Sequence, residues 1–361
     1  MIVIKPAQLC DIVETICRAG GSSQEEAAHV AEHLVGANLA GHDSHGVGMI
    51  PTYVSSLQRG KLVPNASAKV LTDRGPVLVV DGCRGYGQVV ARQAMAMAIE
   101  RARQHGVCVL ALRNAHHIGR VGAWGEQAVA AGLVSVHFVN VIGHQALVAP
   151  FGGSDGRLLT NPFCVSIPAE NGEPIVLDMA TSKVALGKVR VAMNEGRQVD
   201  AGILIDNTGR PTTDPNVMFR NPPGAVLPIG EHKGYGLAMI CEVMAGVLGG
   251  GGTVNGSTRE EKIPINNMLA IVLDPTAFTE GDFFHTELES LRTWVKGSPP
   301  APGVDKVLVP GDPERQRRGE RNARGIPIDD TTWQQLLDAA ATVGVSSDIA
   351  AAWAAAPAPP A

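Results

Sequence analysis

The chain of 361 residues carries 30 Lys and Arg against 35 Asp and Glu, a formal net charge of -5, so it lacks the broad basic surface that nucleic-acid binding requires. With 45% hydrophobic residues it can bury one large core or two ordinary ones. Cys10, Cys17, Cys83, Cys108, Cys164 and Cys241 lie scattered without a C-x-x-C pair, which reads as buried thiols in a reducing compartment and sets aside a structural zinc site.

The segment Met1 to Pro6 lacks the basic region and long apolar core of a signal peptide, so a cytoplasmic protein is expected. Leu9, Ile12, Val13, Ile16 and Cys17 make one face of a first helix ending at Gly20-Gly21. Ser23 and Glu26 have capping-box spacing, and Ala27, Val30, Ala31, Leu34, Val35 and Leu39 continue a second helix into Gly41. Pro51 suits the first turn of a third, reaching Gly60. Between them His42-Asp43-Ser44-His45-Gly46 packs proton-active side chains into a turn held at both ends. Histidine titrates nearest neutral pH, so His42 or His45 could move a proton there, while Ser44 could hydrogen-bond a substrate oxygen; the same turn could also merely cap its helices.

Residues 68–71 and 77–80 read as strands around the turn Asp73-Arg74-Gly75-Pro76. Gly82, Gly85 and Gly87 do not fit G-x-G-x-x-G and are read as turn and close-packing residues. A helix over 88–104 and an apolar, β-branched strand over 107–112 lead into Asn114-Ala115-His116-His117-Ile118-Gly119-Arg120, followed by an Ala-rich helix over 121–131. Loops at strand ends are where α/β enzymes hold reactive groups. No Asp, Glu, Lys or Arg occurs between Gln127 and Ser154, but His137, Asn140, His144 and Pro150 divide that stretch into strand-length pieces, as a buried sheet needs, and no membrane span is expected. From 158 to 217 short strand-like runs between Gly and Pro turns predict a mixed, largely antiparallel sheet. Residues 234–248 are apolar nearly all round and predict a buried helix. A strand over 268–273, a helix over 288–295, a solvated arginine-rich helix within 310–325, a last helix over 333–343 and a frayed tail complete the chain.

The motifs His42 to Gly46, Asn114 to Gly119, Thr160-Asn161-Pro162, Leu177-Asp178-Met179-Ala180-Thr181-Ser182 and His232-Lys233-Gly234-Tyr235-Gly236 resemble, in order, the signatures of the malate/L-lactate dehydrogenase family of NAD(P)-dependent oxidoreductases. Gly48 to Tyr53 and His116 to Arg120 are most similar to its hydroxycarboxylate dehydrogenase B branch. The resemblance implies an α/β fold of the special type of that family, not Rossmann, with a mixed, largely antiparallel nucleotide-binding sheet and a helical N- and C-terminal domain. The boundaries expected are 1–75 with 285–345 for the helical substrate and dimer domain, 76–284 for the central α/β region, and 346–361 for a flexible tail. It also implies a homodimer with no nucleic-acid or membrane partner.

Oxidising a 2-hydroxy acid requires a base near neutrality while hydride leaves the adjacent carbon for nicotinamide. The resemblance supplies two, His117 and His45, with His117 placed ahead and Ser44 beside them. Many members carry Arg where this chain has Met49; a methionine cannot imitate the guanidinium fork, so the expectation is that the carboxylate clamp has moved to Arg120, leaving Met49 as an apolar wall for a larger side chain. Tyr53, Thr160 and Asn161 are expected to join Arg120 and Met49 around the substrate. His45, His117, Ile118, Gly119, Leu177, Asp178, Met179, Ala180, Lys233, Gly311 and Asp312 are expected to touch the cofactor. Asp178 suits ribose hydroxyls and favours NAD, with NADP the open alternative. Lys188 reads as a surface lysine. The rival readings are a metal-dependent hydrolase or lyase built on His42, Asp43, His45, His116 and His117, an inactive dinucleotide-binding protein, and a reductase of cyclic imines.

Overall fold

The computed structural model describes residues 2–170, 173–255 and 263–354. In chain order they form β1 (Ile2–Ile4), α1 (Pro6–Ala19), α2 (Gln24–Leu39), single 3-10 turns at Asp43–His45 and Val47–Met49, α3 (Ile50–Gln58), β2 (Lys69–Arg74), β3 (Val77–Asp81), α4 (Gly87–His105), β4 (Val107–His116), α5 (Gly122–Ala130) and β5 (Val134–Ile142). Then come β6 (Phe163–Ile167), β7 (Ile175–Met179), α6 (Leu186–Asn194), β8 (Leu204–Ile205), β9 (Pro211–Thr212), β10 (Ala225–Val226), α7 (His232–Cys241) running into a π-helical segment at Glu242–Leu248, β11 (Ile265–Leu273), α8 (Phe283–Lys296), α9 (Asp312–Arg324), β12 (Ile326–Ile328), α10 (Asp330–Thr342) and α11 (Ser347–Ala354).

Seven strands form one sheet in the order β2-β3-β4-β11-β5-β6-β7. β3 and β4 are parallel, since α4 carries the chain back across the sheet between them, and the other pairs are antiparallel. This is the mixed, largely antiparallel sheet that the sequence predicts. The uncharged stretch supplies β5, inside the sheet between β11 and β6, and among the described residues no helix is long and apolar enough to cross a membrane.

Two main cores result. In one, α1, α2 and α3 pack with Ile326 and Ile328 of β12 and with Leu336, Ala339 and Ala340 of α10, and β1 pairs antiparallel with β12. The N-terminal helices thus close on the C-terminal segment. In the other, α4 and α5 cover the sheet. Three expectations need correction. Residues 69–74, expected in the helical unit, pair with β3 as an edge of the sheet. The expected tail folds as α11 as far as Ala354: Trp353 packs on the first core and its carbonyl accepts from Nε2 of Gln8 at 3.4 Å, while 355–361 lie outside the described residues. The helix at 234–248 is buried on one side only: Ala238, Cys241 and Ala245 are enclosed, while Met239, Ile240, Val243, Val247 and Leu248 are exposed.

Candidate active site

Asn38, buried at the end of α2, shapes the histidine turn. Its Nδ2 donates to Oδ1 of Asp43 at 2.6 Å and its Oδ1 accepts from the amide of Val47 at 2.9 Å. A Cβ at Gly46 would stand 2.2 Å from that Oδ1, so the turn closes only over glycine. Asp43 also takes the fork of Arg321 from α9, at 2.6 and 2.9 Å. The expectation of a solvated arginine helix is thereby corrected: Arg318 likewise reaches Glu126, at 2.8 and 2.9 Å. So held, Ser44 stays exposed with Oγ 3.0 Å from Nδ1 of a half-buried His45. Met49, half-buried, rests against the first core.

The second histidine comes from the end of β4. Gly87 packs so closely that a Cβ there would lie 2.3 and 2.4 Å from the carbonyl oxygens of His117 and His116. Asn266 of the neighbouring β11 accepts from the amide of Ile118 at 2.9 Å. This pins the loop and sets the half-buried His117 ring nearly parallel to that of His45, centroids 5.6 Å apart and planes 13° apart. Tyr53, expected against substrate, is 1% exposed and lies behind His117, its hydroxyl 2.7 Å from Nδ1. That expectation is corrected, because a buried phenol acts only through the ring it touches. Gly119, in the left-handed region at φ 73°, approaches a flat ring, but the ring is that of His33: a Cβ would fall 2.1 Å from its Nε2.

Burial is the leading cause that lowers the pKa of both His45 and His117. At His45 the Asp178 carboxylate opposes it, while His42 and Arg120 add to it; at His117 the other imidazoles add to it. Burial also takes His33 down to about 3 and His116 to about 4. Burial thus favours the neutral ring at His33, His45, His116 and His117.

Arg120 does not present a free clamp. Its side chain is 2% exposed, Nη2 is bound to Oε2 of Glu126, and Nη1 lies 4.0 Å from Oδ2 of Asp178. Its backbone amide donates to Nε2 of His33 at 2.9 Å. Glu126 thus holds one arm of this guanidinium, while the buried Nη1 has no hydrogen-bond partner among the described residues. Asp178 in turn accepts from the amide of Gly122 at 2.7 Å, so one carboxylate oxygen serves the α5 turn rather than a ribose.

Leu177, Asp178, Met179 and Ala180 lie half-buried at the end of the edge strand β7. The amide of Val176 donates to Pro310 at 3.1 Å, laying the Gly311 loop along that strand. Gly311 has φ 98°, and the Asp312 carboxylate is occupied by Lys296 at 3.0 Å and by Arg315. Thr181 accepts from the amide of Ile229 at 2.9 Å, which brings the exposed Lys233 at the start of α7 near the end of β7. Thr160 is half-buried; Asn161 is fully buried, donating to Glu242 at 2.6 Å and to the Ala238 carbonyl at 3.2 Å, so its side chain supports the loop from inside. Gly187 stands 3.5 Å, measured from an ideal Cβ, from Cβ of Ser44, so the first turn of α6, with the exposed Lys188, flanks the site.

His42 turns to Glu314 at 3.1 Å, Asp43 to Arg321, and His116 is buried edge-on against Tyr53. Among the described residues the five side chains of the rival metal reading form no group of three that could hold one ion. Residues that sequence reasoning missed are Gln88, Glu126, Asn266, Glu314 and His33. The Asn266-Asn267 pair beside an apolar run was a signal, since asparagine is depleted in strands; His33, which stacks on Trp124 at 4.8 Å, lies in no motif.

The sequence pattern of the malate/L-lactate dehydrogenase family matches residues 4–337. The chain is 46% identical to hydroxycarboxylate dehydrogenase B of Escherichia coli over 94% of each. It is 42% identical to an L-lactate dehydrogenase of Cupriavidus necator over 88% of this chain and 91% of that one. Among solved structures, one of an E. coli chain assigned to the malate/lactate dehydrogenases superposes with a TM-score of 0.94 at 44% identity, covering 98% of this chain and 99% of the other. An oxidoreductase acting on CH–OH groups, this protein belongs to the malate/L-lactate dehydrogenase family.

Proposed function

We propose that the protein is an NAD-dependent 2-hydroxycarboxylate dehydrogenase that reduces bulky 2-oxo acids in the reverse direction. The parallel imidazoles of His45 and His117 carry this reading: each Nδ1 is engaged by a hydroxyl, of Ser44 and Tyr53, while among the described residues neither Nε2 has a hydrogen-bond partner. A nicotinamide dinucleotide fits the donors alongside, namely the half-buried 177–180 edge, the backbone at Gly311 and the ammonium of Lys233. When bound, the nicotinamide supplies or takes the hydride. His45 carries the proton, giving it to the oxygen on C2 in reduction and taking it in oxidation, with Ser44 orienting the ring and the Asp178 charge supporting the imidazolium. His117 contributes a hydrogen bond to the same oxygen. Met49 leaves an apolar wall where an arginine would narrow the space.

The enzyme works in a reducing cytoplasm, which suits its six free cysteines. It works as a homodimer, supported by the apolar face of α7 and its π-helical continuation.

The test follows oxidation of NADH and of NADPH with pyruvate, oxaloacetate, 2-oxoglutarate, phenylpyruvate and hydroxyphenylpyruvate. The expected result is NADH oxidation, with kcat/KM higher for the aromatic acids than for pyruvate. Preference for NADPH would overturn the cofactor assignment, and silence with every acid would overturn the reaction.

A further inference from the structure

Gln88 stands in the first turn of α4, 1% exposed, where no substrate reaches it. Its Nε2 donates to the Tyr53 hydroxyl at 2.7 Å and to the main-chain carbonyl of His117 at 3.2 Å. A carbonyl oxygen only accepts, so it fixes which end of the Gln88 amide faces it. Reversing the amide would set two acceptor oxygens against each other and strand a buried NH2. Because Nε2 of Gln88 is then the donor, the Tyr53 oxygen accepts there, and its own proton is left for the remaining partner, Nδ1 of His117 at 2.7 Å. The phenol sits in the first core, edge-on to Tyr86 and His116, and its hydroxyl meets Gln88 and His117 there.

We propose that Gln88 and Tyr53 are positioning residues that lock His117 in the tautomer with its proton on Nε2. His117 then offers the site a fixed N–H donor and no lone pair. Resting on the dehydrogenase reading above, this divides the labour: His117 polarises the carbonyl of a 2-oxo acid and steadies the oxygen charge that develops on hydride arrival, while His45 is left to carry the proton. A neutral His117 suits this task, since it donates without competing for that proton. Its imidazolium is disfavoured by burial and by His45, His116 and His33 around it.

The test is the long-range nitrogen–proton NMR spectrum of the full-length protein with 15N-labelled histidine, His117 being assigned from the signal lost in His117→Asn. The wild type is expected to show an unprotonated Nδ1 and a protonated Nε2 across pH 6 to 9; a protonated Nδ1, or two forms in exchange, overturns the proposal and makes His117 the base. This measurement needs no substrate, so it stands or falls apart from the reaction assigned. In Tyr53→Phe and in Gln88→Met the lock is released, and the Nδ1 signal moves toward the averaged position of free imidazole. With the most active 2-oxo acid of the panel, kcat of Tyr53→Phe falls about tenfold, the order of one hydrogen bond, with KM for NADH unchanged. A merely structural tyrosine would leave the tautomer signal where it was in both variants.

Discussion

Arg120 shows why a residue's chemistry cannot be assigned before its neighbours are known. In sequence it is a guanidinium beside a histidine loop, suited to a carboxylate. In the fold Glu126 and Asp178 flank it, and Arg318 shares Glu126 from the far side of the site. Removing the cation takes the Arg120 charge from Asp178 and leaves Glu126 with Arg318. Arg120→Met is therefore expected to lower stability by about 3 kcal/mol, the low end for one partner lost from a buried pair, since Glu126 is part exposed and keeps Arg318. Urea unfolding measures it. The Arg120 charge also lowers the His45 pKa, so its removal raises that pKa, and reduction, which uses the protonated ring, should persist to higher pH. Stability within error of the wild type would show that the network contributes nothing.

At the scale of elements, the π-helical continuation of α7 is the piece out of place in a single chain. Val243, Val247 and Leu248 are 42, 61 and 66% exposed beside Met239 and Ile240, a run of apolar surface that water does not favour. In the homodimer proposed above, a second copy would cover this face. Val247→Glu places a charge in that contact, and the mass by light scattering is expected to fall from dimer to monomer with the far-ultraviolet dichroism unchanged; an unaltered mass would put the contact elsewhere. What the sequence made legible follows the same logic. β3, α4 and β4 were readable because apolar runs there alternate with glycine turns and a helical period. The position of β11 between β4 and β5 was not, since strand order depends on pairings over 120 residues away; His137 pairs with Ala270. The apolar residues of 234–248 predicted burial because periodicity cannot tell a core face from an apolar face left at the surface of the chain. The two histidine motifs were visible as motifs, whereas Gln88 was not, for a glutamine in the first turn of a helix has nothing local to mark it.

The molecule as a whole keeps several imidazoles where they cannot ionise. His116 and His137 are fully buried and His33 is half-buried, and burial, the leading cause in each, lowers them to about 4, 4 and 3 from 6.5. Two of them hold up the site: His33 receives the Arg120 amide, and His116 ends the strand that His117 follows. Unfolding frees each ring to take a proton near its ordinary pKa. The sign follows from linkage: the folded pKa is depressed, so the stabilisation of the neutral ring is complete above about 6.5 and is lost as pH falls toward about 4, because the unfolded chain binds protons that the folded chain refuses. Each ring contributes about 1.4 kcal/mol per pH unit in that window. The midpoint of thermal unfolding is thus expected to be flat from pH 8 to 7 and to drop steeply from pH 6 to 4.5. His137→Gln, whose ring Nε2 faces Ser135 at 2.9 Å away from the site, should make the descent shallower by one proton, measurable as the pH slope of the unfolding free energy. An unchanged slope would assign the acid lability to the carboxylates of the ion-pair network instead.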